Sequence, residues 1–565
     1  MSRSHWLHRV RRCAPHPSAL TPLTQNRLHD RVSDALRRLE ALESTYESIT
    51  VGQLISMRAI THSSTTAIDI FERREQATYA EMDRQSNRYG HALRAFGVRK
   101  GDRIGVMLPN RIEFPFLFFA IAKLGAVLVP INMRFTSREV EYVLSDTRAK
   151  FAIVDESVRS VFLGMKPWPQ GLAKERIIGV GQSLGGTNAL LSELPEDLGD
   201  SPVVEDIGLD DLLCIAYTSG TTGFPKGCML THDWFGVSSY DWANFDSRPY
   251  DRYLCWSPFF YILWPMQFLK TYRQGGTLYQ AEQLSSTRFI DWIERFRIEW
   301  CLLPELVARQ AQGDALKSLK QVGYSLGWSP QAIRLFRERF GVRGSNIYGM
   351  VEIGMGTQSL GDVPEMEGAG SLGHRGMFRE LRLVSDDGSP TPVGEIGELW
   401  VRGRGIFKGY WNKPEANATQ FQGEWFKTGD LMRRNELGYF WFEGRKKDMI
   451  RRSNENIAAH EVEAIIRDVP EIEDVAAVPV RDLKRGEEVK IWVELKEGFK
   501  QCDLLVEQIL KHARVRLAGF KVPRYIAFIP KLPRTTSSDK VLKRELTSVS
   551  DPLAGAYDTE ERRWR

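Results

Sequence analysis

The sequence predicts an α/β protein with a large, multi-layered N-terminal α/β domain followed by a small α+β C-terminal domain. Three observations carry that expectation. From residue 45 onward, helical stretches alternate with short Val/Ile/Leu runs, "DRIGVML", "AVLVPIN" and "AKFAIVD", as in parallel sheets covered by helices. "PVGEIGELWVRG" and "GYFWFEGR" then read as antiparallel strands set off by glycine turns. After Gly444 the composition changes. "GRKKDMIRR" opens a segment that reads strand, helix, strand, strand, helix through "HEVEAIIRDV", "VAAVPVRD", "VKIWVELK" and "CDLLVEQILKHARVRL".

The chain divides accordingly into a basic extension (1–44) expected to be poorly ordered, a large domain (45–446), a small domain (447–550) and a charged tail (551–565). Its 565 residues exceed one core, and 42% hydrophobic content with 11% aromatics is ample for packed interiors. A net charge of +5, spread along the chain, suits anionic small molecules better than nucleic acid. The six cysteines form no CxxC pair, which argues against a zinc site or a disulfide framework and makes a reducing, cytoplasmic compartment the default. The most apolar window, Phe114 to Pro130, falls short of a bilayer span and contains Lys123 and Gly125, so it reads as a buried helix running into a strand. The opening "MSRSHWLHRVRR" is basic and acid-free, but no apolar h-region follows it.

The stretch with most chemistry is "YTSGTTGFPKG", Tyr217 to Gly227, which follows the apolar run "LLCIA". Its glycines let backbone N–H groups turn inward, its hydroxyls add donors, and Lys226 adds a cation; such a set cradles a polyphosphate. A Walker A loop is excluded, because Pro225, Lys226 and Gly227 stand where Gly-Lys-[Ser/Thr] would be needed.

This stretch resembles the signature of the adenylate-forming superfamily, which comprises acyl-CoA synthetases, carrier-protein adenylation domains and luciferase. Four later motifs agree in order: "YGMVE" (Tyr348 to Glu352), "FKTGD" (Phe426 to Asp430), "GRKKDMIRRSNENIAAHEVE" (Gly444 to Glu463) and "LPRTTSSDK" (Leu532 to Lys540). The nearest resemblance is to carnitine/crotonobetaine-type and medium-chain or aromatic acyl-CoA ligases. It implies the adenylate-forming fold with a mobile C-terminal domain hinged at Lys447, and the substrates ATP, coenzyme A and a carboxylic acid, with Mg²⁺.

Activating a carboxylate means bringing two anions together, which calls for cations and phosphate donors rather than a protein nucleophile. By resemblance, Thr218, Ser219, Gly220, Thr221, Thr222, Gly223 and Lys226 hold the β- and γ-phosphates, and Glu352 binds Mg²⁺. Asp430 and Arg445 bind the ribose, while Gly327, Tyr348 and Gly349 lie about the adenine. Lys540 bridges the carboxylate and the α-phosphate, and Asn454 lies along the pantetheine path. Thr218, Glu352 and Lys540 make up the catalytic set. Four positions depart from the family pattern: Val351 for Thr, Asn454 for Gly, Asp539 for Gly, and Tyr261 for a histidine that gates the acyl pocket. No membrane span or nucleic-acid partner is expected, and a homodimer is allowed.

Two rivals are weighed. "GYSLG" (Gly323 to Gly327) matches the nucleophile elbow of a serine hydrolase, with His374 and His460 downstream. Ser329 and Pro330, however, read as an N-cap and first helical residue, too late for an elbow at Ser325. The second rival keeps the adenylation but loads a carrier protein. Trp234, Trp256, Phe259, Phe260, Tyr261 and Trp264 crowd the expected acyl-pocket region, either lining it or packing the core.

Overall fold

The computed structural model describes residues 22–565 except 182–188, 192–198, 219–224, 245–247, 326–327, 453–454, 483–484, 518 and 536–539. Two seven-stranded sheets build most of the large domain. In one, Arg103–Met107 pairs in parallel with Val127–Pro130 and with Phe151–Asp155, as the three apolar runs predict. Its far edge is the antiparallel pair Leu212–Thr218 and Lys226–Thr231. The other sheet runs from Arg343–Ser345 through Gln321–Ser325, Trp300–Pro304, Arg252–Cys255, Thr277–Gln280 and Thr66–Ile70 to Glu75–Thr78.

Between the sheets lies the helix Glu113–Lys123, buried at every position from Phe114 onward. A lysine is tolerated there because Lys123 Nζ meets Asp83 Oδ1 at 2.7 Å, Ser86 Oγ at 2.8 Å and Asn87 Oδ1 at 2.6 Å. A buried ammonium with its three donors engaged avoids most of the cost of leaving water.

A third, antiparallel sheet contains Arg379–Val384, Ile396–Gly403, Trp425–Arg434 and Phe440–Arg445, the last two paired antiparallel. In the small domain, Ile472–Asp482 and Gly486–Leu495 form a long hairpin against the helices Ala459–Arg467 and Asp503–Arg516, over a core of Ile450, Val462, Ile466, Val489 and Ile509.

Residues 22–44, the described part of the extension expected to be poorly ordered, and the charged tail both take up regular structure. Pro22–Ser44 is a helix whose Leu28, Val32, Ala35 and Leu39 form a stripe packed on Leu360, Met366, Met377 and Tyr439. Glu43 fastens its end, accepting from Arg375 Nη1 at 2.6 Å and Phe378 N at 2.7 Å. The stripe is narrow and set among charges, so composition hides it. The charged tail likewise adds the strands Ala556–Asp558 and Arg563–Trp564 to the small domain's sheet. Its charges serve ion pairs: the fully buried Asp558 meets Arg565 at 2.6 Å and Arg524 at 3.6 Å.

Candidate active site

The strands that flank the expected phosphate motif pair antiparallel, with Tyr217 opposite Gly227 and Thr218 opposite Lys226. Ser219, Gly220, Thr221, Thr222 and Gly223 lie outside the described residues. Both flanks of the motif are tethered to the helix Ser137–Asp146: Tyr217 Oη donates to Asp146 Oδ2 at 2.6 Å, and Tyr142 Oη donates to the Pro225 carbonyl at 3.1 Å. A Cβ at Gly227 would meet Ile215 Cγ2 at 2.7 Å and the Tyr217 ring at 3.1 Å, so any side chain there would force its neighbours to shift.

Glu352 sits in the turn between the strands Ile347–Met350 and Gly354–Gln358, only 6% exposed. Burial pushes its carboxyl above the ordinary range; the hydrogen bond that Tyr410 Oη donates to Oε1, at 2.7 Å, opposes that shift. The segment carrying Tyr410 is bonded on both flanks. Phe407 N donates to the Glu352 carbonyl at 2.8 Å, and Lys408, Gly409 and Trp411 exchange backbone bonds with Met229 and Gly227. Lys226 Nζ lies 4.9 Å from the centre of the Tyr410 ring.

Asp430 and Arg445 face each other as a cross-strand pair, which brings Arg445 Nε within 3.1 Å of Asp430 Oδ1. Tyr348 Oη donates to the other oxygen at 2.7 Å. Burial, reinforced by Asp430, holds the Tyr348 hydroxyl well above its ordinary pKa, so it stays a donor. Asp430 is 3% exposed, and burial raises its carboxyl against the opposing pull of Arg445, Tyr348 and Lys540. Gly349 follows Tyr348 at a bulge where a Cβ would meet the Gly354 carbonyl at 2.4 Å. The strands therefore close only with glycine there.

Lys540, in the small domain, bonds its backbone to Thr535, its N–H on Thr535 Oγ1 at 3.2 Å and its carbonyl accepting from Thr535 N at 2.8 Å. The side chain reaches solvent, yet it feels Arg445, Asp430 and Glu352. Partial loss of water, then Arg445, pulls its ammonium below the ordinary lysine range, with the two carboxylates opposing. The charge of this small-domain lysine is thus in electrostatic reach of the two buried carboxylates of the large domain. Lys447 lies in the single turn Lys446–Asp448, between strands ending at Arg445 and beginning at Met449. Gly327, Asn454 and Asp539 lie outside the described residues.

Residues 57–411 match the family described as "AMP-binding enzyme", and residues 461–539 match "AMP-binding enzyme C-terminal domain". The chain belongs to the AMP-binding enzyme family. It is 32% identical over 490 residues to the long-chain-fatty-acid–CoA ligase FadD13 of Mycobacterium tuberculosis (strain CDC 1551 / Oshkosh), covering 84% of this chain and 94% of that one. It is 31% identical to a crotonobetaine/carnitine–CoA ligase of Salmonella paratyphi B, covering 83% and 93% of the two chains. Among solved structures, the anthranilate CoA ligase AuaEII in complex with anthranoyl-AMP superposes with a TM-score of 0.78 at 25% identity, covering 90% and 98%. ATP-bound MatB from Rhodopseudomonas palustris does so with 0.77 at 25% identity, covering 88% and 98%. The adenylate-forming fold expected from the motifs is the fold of this chain.

In this AMP-binding enzyme the aromatic stretch divides between two roles. Trp234, Phe259 and Trp264 are core, Trp264 lying 4.3 Å from Phe259 and 4.9 Å from Phe268 between ring centres. Trp256 is half-buried and donates Nε1 to the Leu302 carbonyl at 2.9 Å. Phe260 and Tyr261 are half-buried, their rings 5.5 Å apart. Ser325 ends the strand Gln321–Ser325, and the next helix begins at Pro330 with Ser329 as its N-cap, so the sharp strand-to-helix elbow of a hydrolase is not built here.

Tyr410 is the functional candidate that the motif reading missed. Its only signal is "GYW" directly after "GRGIFKG", a stretch that approximates a dinucleotide fingerprint without the βαβ context.

Proposed function

We propose that this protein is an AMP-forming acid–thiol ligase that activates a carboxylic acid as its acyl-adenylate and passes the acyl group to coenzyme A. What supports the reading is the buried Glu352 and the Asp430–Arg445 pair gathered in the large domain, with the charge of Lys540 in electrostatic reach of them. The coverage of acyl-CoA ligases along nearly their whole length supports it.

ATP enters as two halves. Thr218 and Lys226 hold the β- and γ-phosphates at the hairpin, together with Ser219, Gly220, Thr221, Thr222 and Gly223. Asp430 Oδ1 is buried and, though ion-paired with Arg445, accepts no hydrogen bond from the described residues, which suits a ribose hydroxyl donor. The Tyr348 ring and Gly327 flank the adenine.

Among the described residues no group of three potential metal ligands occurs. Glu352 supplies one carboxylate beside the phosphate hairpin, which fits Mg²⁺, a cation held by one or two carboxylates plus substrate phosphates. When bound, Mg²⁺ neutralises phosphate charge. Lys540 places a positive charge between the acid's carboxylate and the α-phosphate, where negative charge gathers as the acid attacks and pyrophosphate leaves. Rotation at Lys447 then withdraws Lys540 and brings the Asn454 segment to the acyl-adenylate for attack by the thiol.

The acid is read from the pocket region. Trp234, Phe259 and Trp264 are taken up by the core, so an aromatic box for a trimethylammonium group would fall to Phe260 and Tyr261. We place the enzyme in a reducing, cytoplasmic compartment, in keeping with five free cysteines among the described residues, and a homodimer is testable by light scattering.

The test is pyrophosphate release with ATP and each of a panel of long-chain, trimethylammonium and aromatic acids, followed by thioester assay with CoA. An acid-dependent burst without thioester, but with transfer to a pantetheinylated carrier protein, would replace CoA as the acceptor. Release with no acid in the panel would remove the ligase reading.

A further inference from the structure

We propose that Tyr410 is a positioning residue that holds Glu352 and Lys226 in register for magnesium-bound ATP, an inference that rests on the reading of Glu352 given above. Three observations carry it. The hydroxyl donates to Glu352 Oε1 at 2.7 Å in a buried setting, with Tyr410 itself 6% exposed. The ring of the same residue lies 4.9 Å from Lys226 Nζ, the cation of the phosphate hairpin. The backbone of Tyr410 is fixed independently, its N–H donating to Asn417 Oδ1 at 2.7 Å and its carbonyl accepting from Asn417 Nδ2 at 2.9 Å.

The terminal torsion of a glutamate is broad, so an isolated buried carboxylate can present either oxygen over a wide range of directions. One donor on Oε1 fixes the plane of the group and leaves Oε2 a single direction toward a cation. Outer donors orient metal-binding carboxylates in this way. The ammonium over the ring face is held by a different part of the same side chain. One residue thus sets the distance between the metal carboxylate and the phosphate cation.

The surrounding chain keeps that distance from drifting. Phe407 N holds the Glu352 carbonyl at 2.8 Å, and Trp411 N holds the Gly227 carbonyl at 2.8 Å, so the segment 407–411 is bonded to both units at once. Behind it the buried Arg379 donates from Nε to the carbonyls of Ile353, at 3.0 Å, and Met355, at 3.1 Å. Its Nη groups donate to Arg404 and Gly405. The ordinary alternative is that Tyr410 only packs, since its ring meets Phe407 at 5.0 Å between centres.

The experiment is titration calorimetry of ATP binding without any acid, once with MgCl₂ and once with EDTA, on full-length enzyme whose fold is verified by thermal melting. Tyr410→Phe keeps the ring and loses the hydroxyl. It should weaken binding of ATP with Mg²⁺ about tenfold and leave binding in EDTA unchanged, the scale expected on losing a hydrogen bond to a charged group. Tyr410→Leu should weaken both. Asn417→Ala, which frees the backbone of Tyr410 without touching its ring, should give a smaller, magnesium-dependent loss. In a Glu352→Gln background, Tyr410→Phe should add nothing, because residues acting through one another are not additive. Equal loss with and without Mg²⁺, full additivity with Glu352→Gln, or unchanged binding would each overturn the proposal. If Glu352→Gln alone leaves the magnesium dependence intact, the reading of Glu352 falls first and this inference with it.

Discussion

The two halves of the site are held in opposite ways. On the large domain, the buried Glu352 and Asp430 and the half-buried Tyr348 are locked to Tyr410, to each other and to Arg445 by hydrogen bonds and register. On the small domain, Lys540 reaches solvent, held through its backbone by two bonds to Thr535. Preorganised dipoles do not have to reorganise during reaction, which suits groups that bind ATP throughout. A cation needed in only one of two steps gains from being removable. On the proposed reading, the contrast would give binding to the fixed half and timing to a movable half.

The largest expected effect breaks the movable half. Lys540→Ala should slow acyl-adenylate formation by about 10² to 10³, the range for losing one transition-state donor, while thioester formation from presynthesised acyl-adenylate largely survives. Equal loss in the two half-reactions would assign Lys540 a structural role and erase the contrast. Next in size, Lys447→Pro fixes φ near about −65° and should retain pyrophosphate release while losing acyl transfer by tenfold or more. Full acyl-CoA synthesis by the folded variant would remove the need for rotation at 447.

A pH profile sharpens the comparison. Lys540 acts as its protonated form, and its ammonium is held below the ordinary lysine range by loss of water and by Arg445. Adenylation should therefore fall on the alkaline side at a pH lower than an ordinary lysine would give, while thioester formation from acyl-adenylate lacks that limb. The same alkaline limb in Lys540→Arg, whose guanidinium does not deprotonate, would assign the titration to another group. The smallest effect belongs to Asn454→Gly. Removing a side chain along the thiol's path should lower the KM for CoA a few fold or leave it unchanged, without altering adenylation. A marked rise would mean that Asn454 contacts CoA directly.

Much of this was legible in the linear order. The apolar runs at 103, 127 and 151 became parallel strands because Val, Ile and Leu in short runs suit a sheet buried on both faces. The Ser329–Pro330 pair predicted the helix start that removes the hydrolase elbow, since an N-cap hydroxyl and a proline act locally. Motifs with fixed local spacing named Glu352, Asp430 and Lys540, and the order of those motifs pointed to the AMP-binding family to which the chain belongs.

What lay beyond the sequence depended on partners distant along the chain. Tyr410 matters through a carboxylate 58 positions away, and Tyr348 donates to an aspartate 82 positions away; neither pairing leaves a local pattern. Lys123 in an apolar helix is explained only by Asp83, Ser86 and Asn87. The helix Pro22–Ser44 looks solvated until Leu360 and Tyr439 cover its stripe. Local spacing therefore determined the fold class, the caps and the motif residues, since turns, caps and periodicity are short-range. Tertiary structure decided which carboxylates are buried, what orients them and which aromatics are core, because burial and hydrogen-bond partnership are properties of the packed chain.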